Sequence, residues 1–272
     1  MPQPNQITPP QLMRLIGTPE CPVLLDVRLP EDLARDPRLI PGSFPLPHDQ
    51  CDPAPARLQG QRAVIICAKG HKLSEGVAAL LRAQSVPAEV LEGGAVAWAA
   101  AALPMVPLAA LPPTSLWVTR HRPKIDRIAC PWLIRRFIDP TARFLFVAPA
   151  EVHAVAERFN ATPFDIDGTF WSHRGATCTF DTMLTEWGLL TEALQRLALV
   201  VRAADTDRHD LAPQAAGLLA ISVGLSRLYR DDLEQLAVGL TLYDALYRWA
   251  RDGHDEGHDW PAPPAGAGCV AP

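Results

Sequence analysis

Residues 67–72 bring a cysteine together with several cationic side chains in one short loop. The run consists of Cys67, Ala68, Lys69, Gly70, His71 and Lys72. An apolar segment at 63–66 predicts a buried strand before the loop, and a helical pattern follows it. Loop N–H groups and a helix N-terminus together form an anion-binding nest, and cationic neighbours also favour a thiolate. We therefore predict that Cys67 is nucleophilic and that residues 68–71 form an anion-binding loop around it, with Gly70 permitting the tight turn.

A second candidate site lies in the basic segment 118–136. This segment holds Arg120, Arg122, Lys124, Arg127, Arg135 and Arg136 against Asp126 alone. Arginines present the planar fork that tetrahedral oxyanions accept, so Arg120, Arg122, Lys124 and Arg127 are candidate oxyanion ligands. The alternative is an ion-paired face, because residues 202–259 carry eleven acidic side chains against six arginines.

Cys130 precedes a proline in the same segment, and proline is favoured at the first position of a helix. We predict a helix over 131–138 that begins at Pro131 and has Cys130 as its cap. The helix N-terminus would then lower the pKa of the thiol and add Cys130 to the oxyanion site. The alternative is that Cys130 is simply a small buried residue.

His173, Cys178 and Asp181 lie within nine residues and form a candidate metal site, to which Asp205, Asp207 or His209 could contribute. The spacing fits no standard zinc template, and an internal hydrogen-bond network is the alternative. His254 and His258 superficially resemble a zinc-binding helix, but the glycines and the proline around them disfavour a helix there.

The predicted elements that position these residues change in kind along the chain. In the first hundred residues, strands at 23–25, 63–66 and 89–91 alternate with helices at 11–16 and 74–84. This order predicts an α/β domain, with a parallel sheet and helices on both faces, in which Asp26 and Cys67 follow strand ends. The second half predicts an α+β, mainly helical domain with strands at 116–119 and 143–147 and a helix at 151–159.

Composition sets the domain boundaries and the predicted compartment. Four of the 28 prolines lie in 104–113, within a stretch free of charge, and predict a semi-rigid linker. We place an N-terminal domain at 1–106, the linker at 107–115, a second domain at 116–252 and a disordered tail at 253–272. Six widely spaced cysteines, the lack of a signal-peptide pattern and a net charge of −5 predict a cytoplasmic protein without a membrane span or a general affinity for nucleic acid.

The first domain resembles the rhodanese family of sulfurtransferases. The similarity covers residues 5–106 and rests on residues 24–28 (LLDVR), 40–43 (IPGS), 67–73 (CAKGHKL) and 91–98 (LEGGAVAW). It implies that Cys67 takes sulfur from a sulfane-sulfur donor as a persulfide and passes it to a thiol acceptor, with Lys72, Asp26 and Arg28 as further catalytic residues. Six loop residues favour sulfur over the phosphate handled by related phosphatases, whose loop is one residue longer. Lys72 stands where the family has an arginine, and Leu39 stands where it usually has a histidine. Lysine cannot form the two-pronged hydrogen bonds of arginine, so the alternative is a domain whose thiol acts on another oxyanion.

The second domain resembles the C-terminal domain of the chromate resistance protein B family. The matching segments are residues 117–120, 122–140, 161–166, 172–173, 178–181, 204–206, 210–217 and 243–247. The resemblance implies a role in chromate resistance or sensing. We thus expect a rhodanese-type sulfurtransferase fused to a chromate-resistance domain, requiring no cofactor beyond the candidate metal ion. The alternative is a non-catalytic oxyanion sensor or transcriptional regulator of a chromate efflux system, although the sequence shows no convincing helix-turn-helix for DNA binding.

Overall fold

A five-stranded parallel sheet forms the centre of the N-terminal half, in a computed structural model that describes residues 5–257. The elements of this half are β1 (Gln6–Ile7), α1 (Pro9–Leu15), β2 (Val23–Asp26), α2 (Pro30–Arg35), β3 (Arg38–Leu39), β4 (Ser43–Pro45), β5 (Ala63–Ile66), α3 (Lys72–Ala83), β6 (Ala88–Leu91) and α4 (Gly94–Ala100). The sheet has the order β1–β6–β5–β2–β4, and all neighbouring strands in it are parallel. The predicted α/β fold is confirmed.

Alternating side chains of the central strands enter two different cores. Val64 and Ile66 of β5 pack in the core that contains Leu12 of α1 and Trp98 of α4. Ile65, between them, packs with the apolar face of α3 in a second core. A strand directs successive side chains to opposite faces, so a strand covered by helices on both sides is apolar throughout. This explains why β5 reads as a continuous apolar run.

The C-terminal half adds a small parallel sheet and a group of helices. Its elements are β7 (Val106–Pro107), β8 (Leu116–Arg120), α5 (Asp126–Leu133), β9 (Arg143–Val147), α6 (Val152–Phe159), β10 (Thr162–Pro163), α7 (Thr179–Glu186), α8 (Glu192–Asp205), α9 (Ala215–Leu228) and α10 (Asp232–Arg248). The sheet order is β10–β8–β9. Helices predominate after β10, as the predicted α+β, mainly helical domain requires.

The start of the first helix in this half differs from the prediction. Helix α5 begins at Asp126, so Pro131 lies inside it and Cys130 is not a cap. Ile134–Ile138 continues from α5 as a π-helix. A proline inside a helix removes one backbone donor, and wide turns of this kind accommodate such interruptions. The prediction was wrong because the proline preference for a first helical turn does not apply to a buried helix that starts five residues earlier.

The proline-rich segment between the halves is packed rather than extended through solvent. Strand β7 pairs antiparallel with β3, and the indole Nε1 of Trp187 donates to the Ala110 carbonyl at 3.0 Å. A single hydrophobic core contains Leu12 and Trp98 together with Trp117 of the second half. The two halves therefore share buried surface on both sides of this segment.

The chain remains helical for five residues after α10. A π-helix at Trp249–Gly253 continues from α10, while most of the predicted tail, residues 258–272 with His258, lies outside the described residues. Within residues 5–257, none of the helices combines the length and the apolar character needed to cross a membrane.

Candidate functional site

Cys67 immediately follows β5 and lies at the carboxyl edge of the parallel sheet. Its Sγ is 3.1 Å from the hydroxyl oxygen of Ser74, and either atom can donate in this contact; the same hydroxyl lies 3.0 Å from the His71 carbonyl oxygen, to which it can donate its one proton instead. Burial alone would raise the pKa of the Cys67 thiol. The Ser74 hydroxyl and the backbone N–H groups of Ser74, His71 and Lys69 outweigh burial, and they lower the pKa. The loop thus favours a thiolate.

Backbone contacts fix the shape of the loop around Cys67. The N–H groups of Ala95 and Val96 donate to the carbonyls of Cys67 and Ala68, both at 3.0 Å. Gly70 has a φ of +69°, and a Cβ on it would lie 2.5 Å from the Leu91 carbonyl oxygen. A side chain at this position would therefore be strained and would also push the loop away from the end of β6.

The cationic side chains of the loop face solvent, while the thiol is buried. Lys69, His71 and Lys72 are exposed, whereas Cys67 retains only 6% of its accessible surface. The hydroxyl partner of the thiol was missed in the sequence, because the family pattern places its serine at Leu73. Ser74 supplies the hydroxyl from the next position of α3.

Asp26 and Arg28, predicted as catalytic residues, form a buried ion pair. The closest contact between their side chains is 2.6 Å, and the remaining guanidinium bonds go to the carbonyls of Asp36 at 3.2 Å and Arg38 at 2.6 Å. The pair therefore connects the end of β2 to the segment that leads into β3. This arrangement supports a structural role in fixing the chain after β2.

A second cluster of ionisable groups is centred on Asp126, the first residue of α5. Asp126 is fully buried and accepts the backbone N–H groups of Thr179 at 2.6 Å and Phe180 at 3.3 Å, at the N-terminus of α7. Burial, together with the carboxylates of Asp205 and Asp165, raises its pKa well above the ordinary value. Sequence reasoning treated Asp126 only as the one acid in a basic segment.

His173 lies above this carboxylate at the opening of the cluster. Its Nε2 is 3.2 Å from Asp205, 3.4 Å from Asp165 and 3.5 Å from Asp126. Hydrogen bonding to Asp165 and Asp205 raises the pKa of His173 to about 10. Three carboxylates, from positions 126, 165 and 205, thus meet at one nitrogen atom of His173.

Two of the predicted oxyanion ligands contact this cluster. Arg120 and Arg127 each approach Asp165, at 3.1 and 3.2 Å, and the Thr179 hydroxyl donates to it at 3.0 Å. Burial raises the pKa of Asp165, but His173, the two arginines and Thr179 together lower it. The ion-paired alternative therefore describes these two arginines, with Asp165 as their partner.

The other predicted oxyanion ligands lie elsewhere. The Arg122 guanidinium donates to the carbonyls of Ser226 and Tyr229 at the C-terminal end of α9, and Lys124 is half-buried. Cys130 is fully buried, and burial together with Asp126 raises its pKa well above the ordinary value. The predicted reactive thiol at this position is corrected to an interior thiol.

Of the predicted metal ligands and contributors, the structure brings His173 and Asp205 into a group that could hold an ion. That group consists of Asp126, His173 and Asp205, whose candidate ligand atoms all lie within 4.8 Å of one another. Cys178 is instead the N-cap of α7, where its N–H donates to Asp181 at 3.0 Å, and Asp181 pairs with Arg202 at 3.3 Å. The predicted contributors Asp207 and His209 pair with each other at 3.8 Å.

A cavity of about 680 Å³ lies between the two halves and is separate from both clusters. It is lined by Cys21 and the start of β2 on one side, and by Pro112 and Arg135 on the other. Burial raises the pKa of Cys21 to about 12, so this thiol stays protonated.

A thiol loop at the carboxyl edge of a five-stranded parallel sheet, joined to a mainly helical domain, defines the class of this protein. Residues 8–101 match the family described as rhodanese-like domain. Residues 117–250 match the family described as ChrB, C-terminal domain. Each half of the chain therefore matches one family model, and the resemblances noted in the sequence are confirmed.

Individual relatives cover one domain or the other. Protein ChrB of Cupriavidus metallidurans is 38% identical over 133 residues, which make up 48% of this chain and 39% of that protein. The chain thus spans about two fifths of the length of this relative. The thiosulfate sulfurtransferase structure from Pseudomonas aeruginosa is 30% identical over 39% of this chain and 20% of its own, with a TM-score of 0.32. A rhodanese-like domain protein from Staphylococcus aureus is 29% identical; the match covers 35% of this chain and 90% of that protein, with a TM-score of 0.30.

Proposed function

We propose that the chain is a sulfurtransferase in which Cys67 carries a persulfide, and that its second domain directs this chemistry to chromate resistance. The observation that supports the proposal is the Cys67 loop. The thiol lies in a turn where the Ser74 hydroxyl and the N–H groups of Lys69, His71 and Ser74 lower its pKa. A thiolate is the nucleophile that sulfane-sulfur transfer requires.

The reaction proceeds in two displacements at sulfur. The Cys67 thiolate attacks the outer sulfur of a donor such as thiosulfate, a new S–S bond forms, and sulfite leaves with the electron pair of the old bond. A thiolate acceptor then attacks the outer sulfur of the persulfide and regenerates the Cys67 thiolate. Backbone N–H groups stabilise the negative charge in both states. The exposed ammonium groups of Lys69 and Lys72 at the rim attract the anionic donor.

The first experiment compares two cysteine variants of the full chain. After treatment with thiosulfate, mass spectrometry should find the persulfide on Cys67 in the wild type. Cys67→Ser should abolish it, while Cys21→Ser, which removes a thiol of raised pKa, should leave it unchanged. Full persulfide formation in Cys67→Ser would overturn the proposal.

Lys72 supports a second candidate function, an oxyanion sensor or regulator with little turnover. Lysine is a point charge and lacks the two-pronged hydrogen bonding of the arginine in the family pattern. A thiosulfate:cyanide assay with and without chromate, together with calorimetry using chromate and sulfate, separates the two functions. Turnover that depends on Cys67 favours the transferase, whereas anion binding without turnover favours the sensor.

A further inference from the structure

One imidazole nitrogen in the second domain has three carboxylates around it. His173 Nε2 lies 3.2–3.5 Å from oxygens of Asp205, Asp165 and Asp126. One N–H group can point at a single acceptor, and a charge-assisted hydrogen bond is about 2.7–2.9 Å long. All three separations are longer than that. A single N–H group cannot serve three acceptors at once, whereas three oxygens converging on one nitrogen is the arrangement expected of a donor shell around a common centre.

We propose that Asp126, His173 and Asp205 bind a divalent transition-metal ion. Their ligand atoms lie within 4.8 Å of one another, so that one ion can contact all three. Carboxylate oxygens suit Mn²⁺ as well as Mg²⁺ and Ca²⁺, while an imidazole nitrogen favours transition metals. The mixed set therefore selects Mn²⁺, Fe²⁺ or Zn²⁺ over ions that prefer oxygen ligands alone. This inference is independent of the chemistry at Cys67.

Two carboxylates in the cluster, Asp126 and Asp165, are oriented by groups outside it. Asp126 is held by the backbone N–H groups of Thr179 and Phe180, which fix both of its oxygens. Asp165, the neighbour of the three ligands, is held by Arg120 and by the Thr179 hydroxyl. Outer contacts of this kind orient ligands and are a regular part of metal sites.

Charge and access also fit a dication. Asp165 has arginine partners, which leaves the carboxylates of Asp126 and Asp205 to balance two positive charges. The His173 side chain is 40% exposed and that of Asp205 is 18% exposed, so an ion can enter from solvent above the buried Asp126. On binding, the Nε2–metal bond forms, and any proton on Nε2 leaves to solvent.

The test uses the full chain, stripped of metal with a chelator and titrated with Mn²⁺ alone. Loss of the electron paramagnetic resonance signal of free Mn²⁺ should report one bound ion per chain. Zn²⁺ should displace it, and Ca²⁺ should compete far less well. His173→Ala and Asp205→Asn should each weaken binding about a hundredfold or more, given that loss of an outer-shell contact alone costs about 10–100-fold.

Two neighbouring residues provide matched controls. His209→Ala and Asp207→Asn remove the same side-chain types from the pair next to the cluster and should bind Mn²⁺ as the wild type does. Circular dichroism verifies that each variant folds. If His173→Ala does not fold, Asp205→Asn decides the outcome. The proposal is overturned if the wild type binds no Mn²⁺ at millimolar concentration, or if the folded ligand variants bind it as tightly as the controls.

Discussion

At the scale of single residues, the surroundings of buried cysteines shift the pKa of the thiol in opposite directions. Cys67, Cys130 and Cys178 are all buried. Neighbouring carboxylates add to burial at Cys130 and Cys178, and both pKa values rise well above the ordinary one. Hydrogen-bond donors surround Cys67 instead, and its pKa falls. Among the cysteines of residues 5–257, Cys67 is the one whose pKa is lowered, so it should react first with an electrophile.

This difference predicts the effect of removing one hydroxyl. Ser74→Ala removes the hydroxyl that lies 3.1 Å from Cys67 Sγ and can donate to a thiolate there, so the pKa of the thiol should rise. The pH profile of iodoacetamide alkylation should then move to higher pH. Because a hydrogen bond to a charged group contributes about 1.5 kcal/mol or more, alkylation at neutral pH should slow roughly tenfold. Peptide mapping identifies the labelled cysteine.

Ser115→Ala is the control for this prediction, because it removes an exposed serine hydroxyl outside the loop. Its alkylation profile should match that of the wild type. If the Ser74→Ala profile also matched the wild type, the backbone N–H groups alone would account for the low pKa.

At the scale of elements, α10 holds the turn that delivers Asp126 to its site. Ile125, the residue before α5, has a φ of +39°, which is rare for a β-branched side chain. The Tyr243 hydroxyl donates to the Ile125 carbonyl at 3.0 Å, and the Gln235 amide donates to the Pro123 carbonyl at 2.6 Å. Strained turns persist where surrounding structure fixes them, and they are common at functional sites.

The stability of α10 should therefore depend on its first residues. Asp231 caps this helix by accepting the N–H groups of Leu233 at 2.8 Å and Glu234 at 3.0 Å. Asp231→Ala should lower the free energy of unfolding by about 1 kcal/mol, measured by urea denaturation. Asp167→Ala, at an exposed loop position, should change it little. Equal losses in both variants would indicate a general charge effect instead of capping.

At the scale of the whole molecule, the two domains share one core and are not independent units on a linker. The turn after α1 packs on the second domain, where Gly17 faces Phe137 and Tyr247. Arg251 donates to the Arg14 carbonyl at 2.9 Å across the same boundary. Changes at this contact should therefore lower the stability of both halves together.

Gly17→Ala tests the shared core. Gly17 has a φ of +82°, and a Cβ there would lie 2.4 Å from Phe137 Cζ and 2.8 Å from Tyr247 Cε1. The variant should lose about 1–3 kcal/mol from overpacking, in addition to the backbone strain. Calorimetry should show a lower transition temperature for the whole chain.

Gly60→Ala separates strain from packing in this experiment. Gly60 has a φ of +70°, with nothing within 4 Å of the added Cβ, so this variant carries the backbone strain alone. A smaller loss than in Gly17→Ala is expected. Equal losses would show that the contact between the domains contributes no packing energy.

The sequence by itself determined the α/β order, the bounds of β5, the Cys67 loop and both domain resemblances, because these depend on local patterns and short motifs. Only the tertiary structure showed that Ser74 reaches the thiol, that the basic segment meets Asp165, and that Asp126 joins His173 and Asp205 in one cluster. Cys130 was misplaced for the same reason: local helix preferences do not encode burial. Side chains separated by tens of residues become neighbours only when helices and strands pack, and that packing sets both the pKa values and the metal-binding geometry.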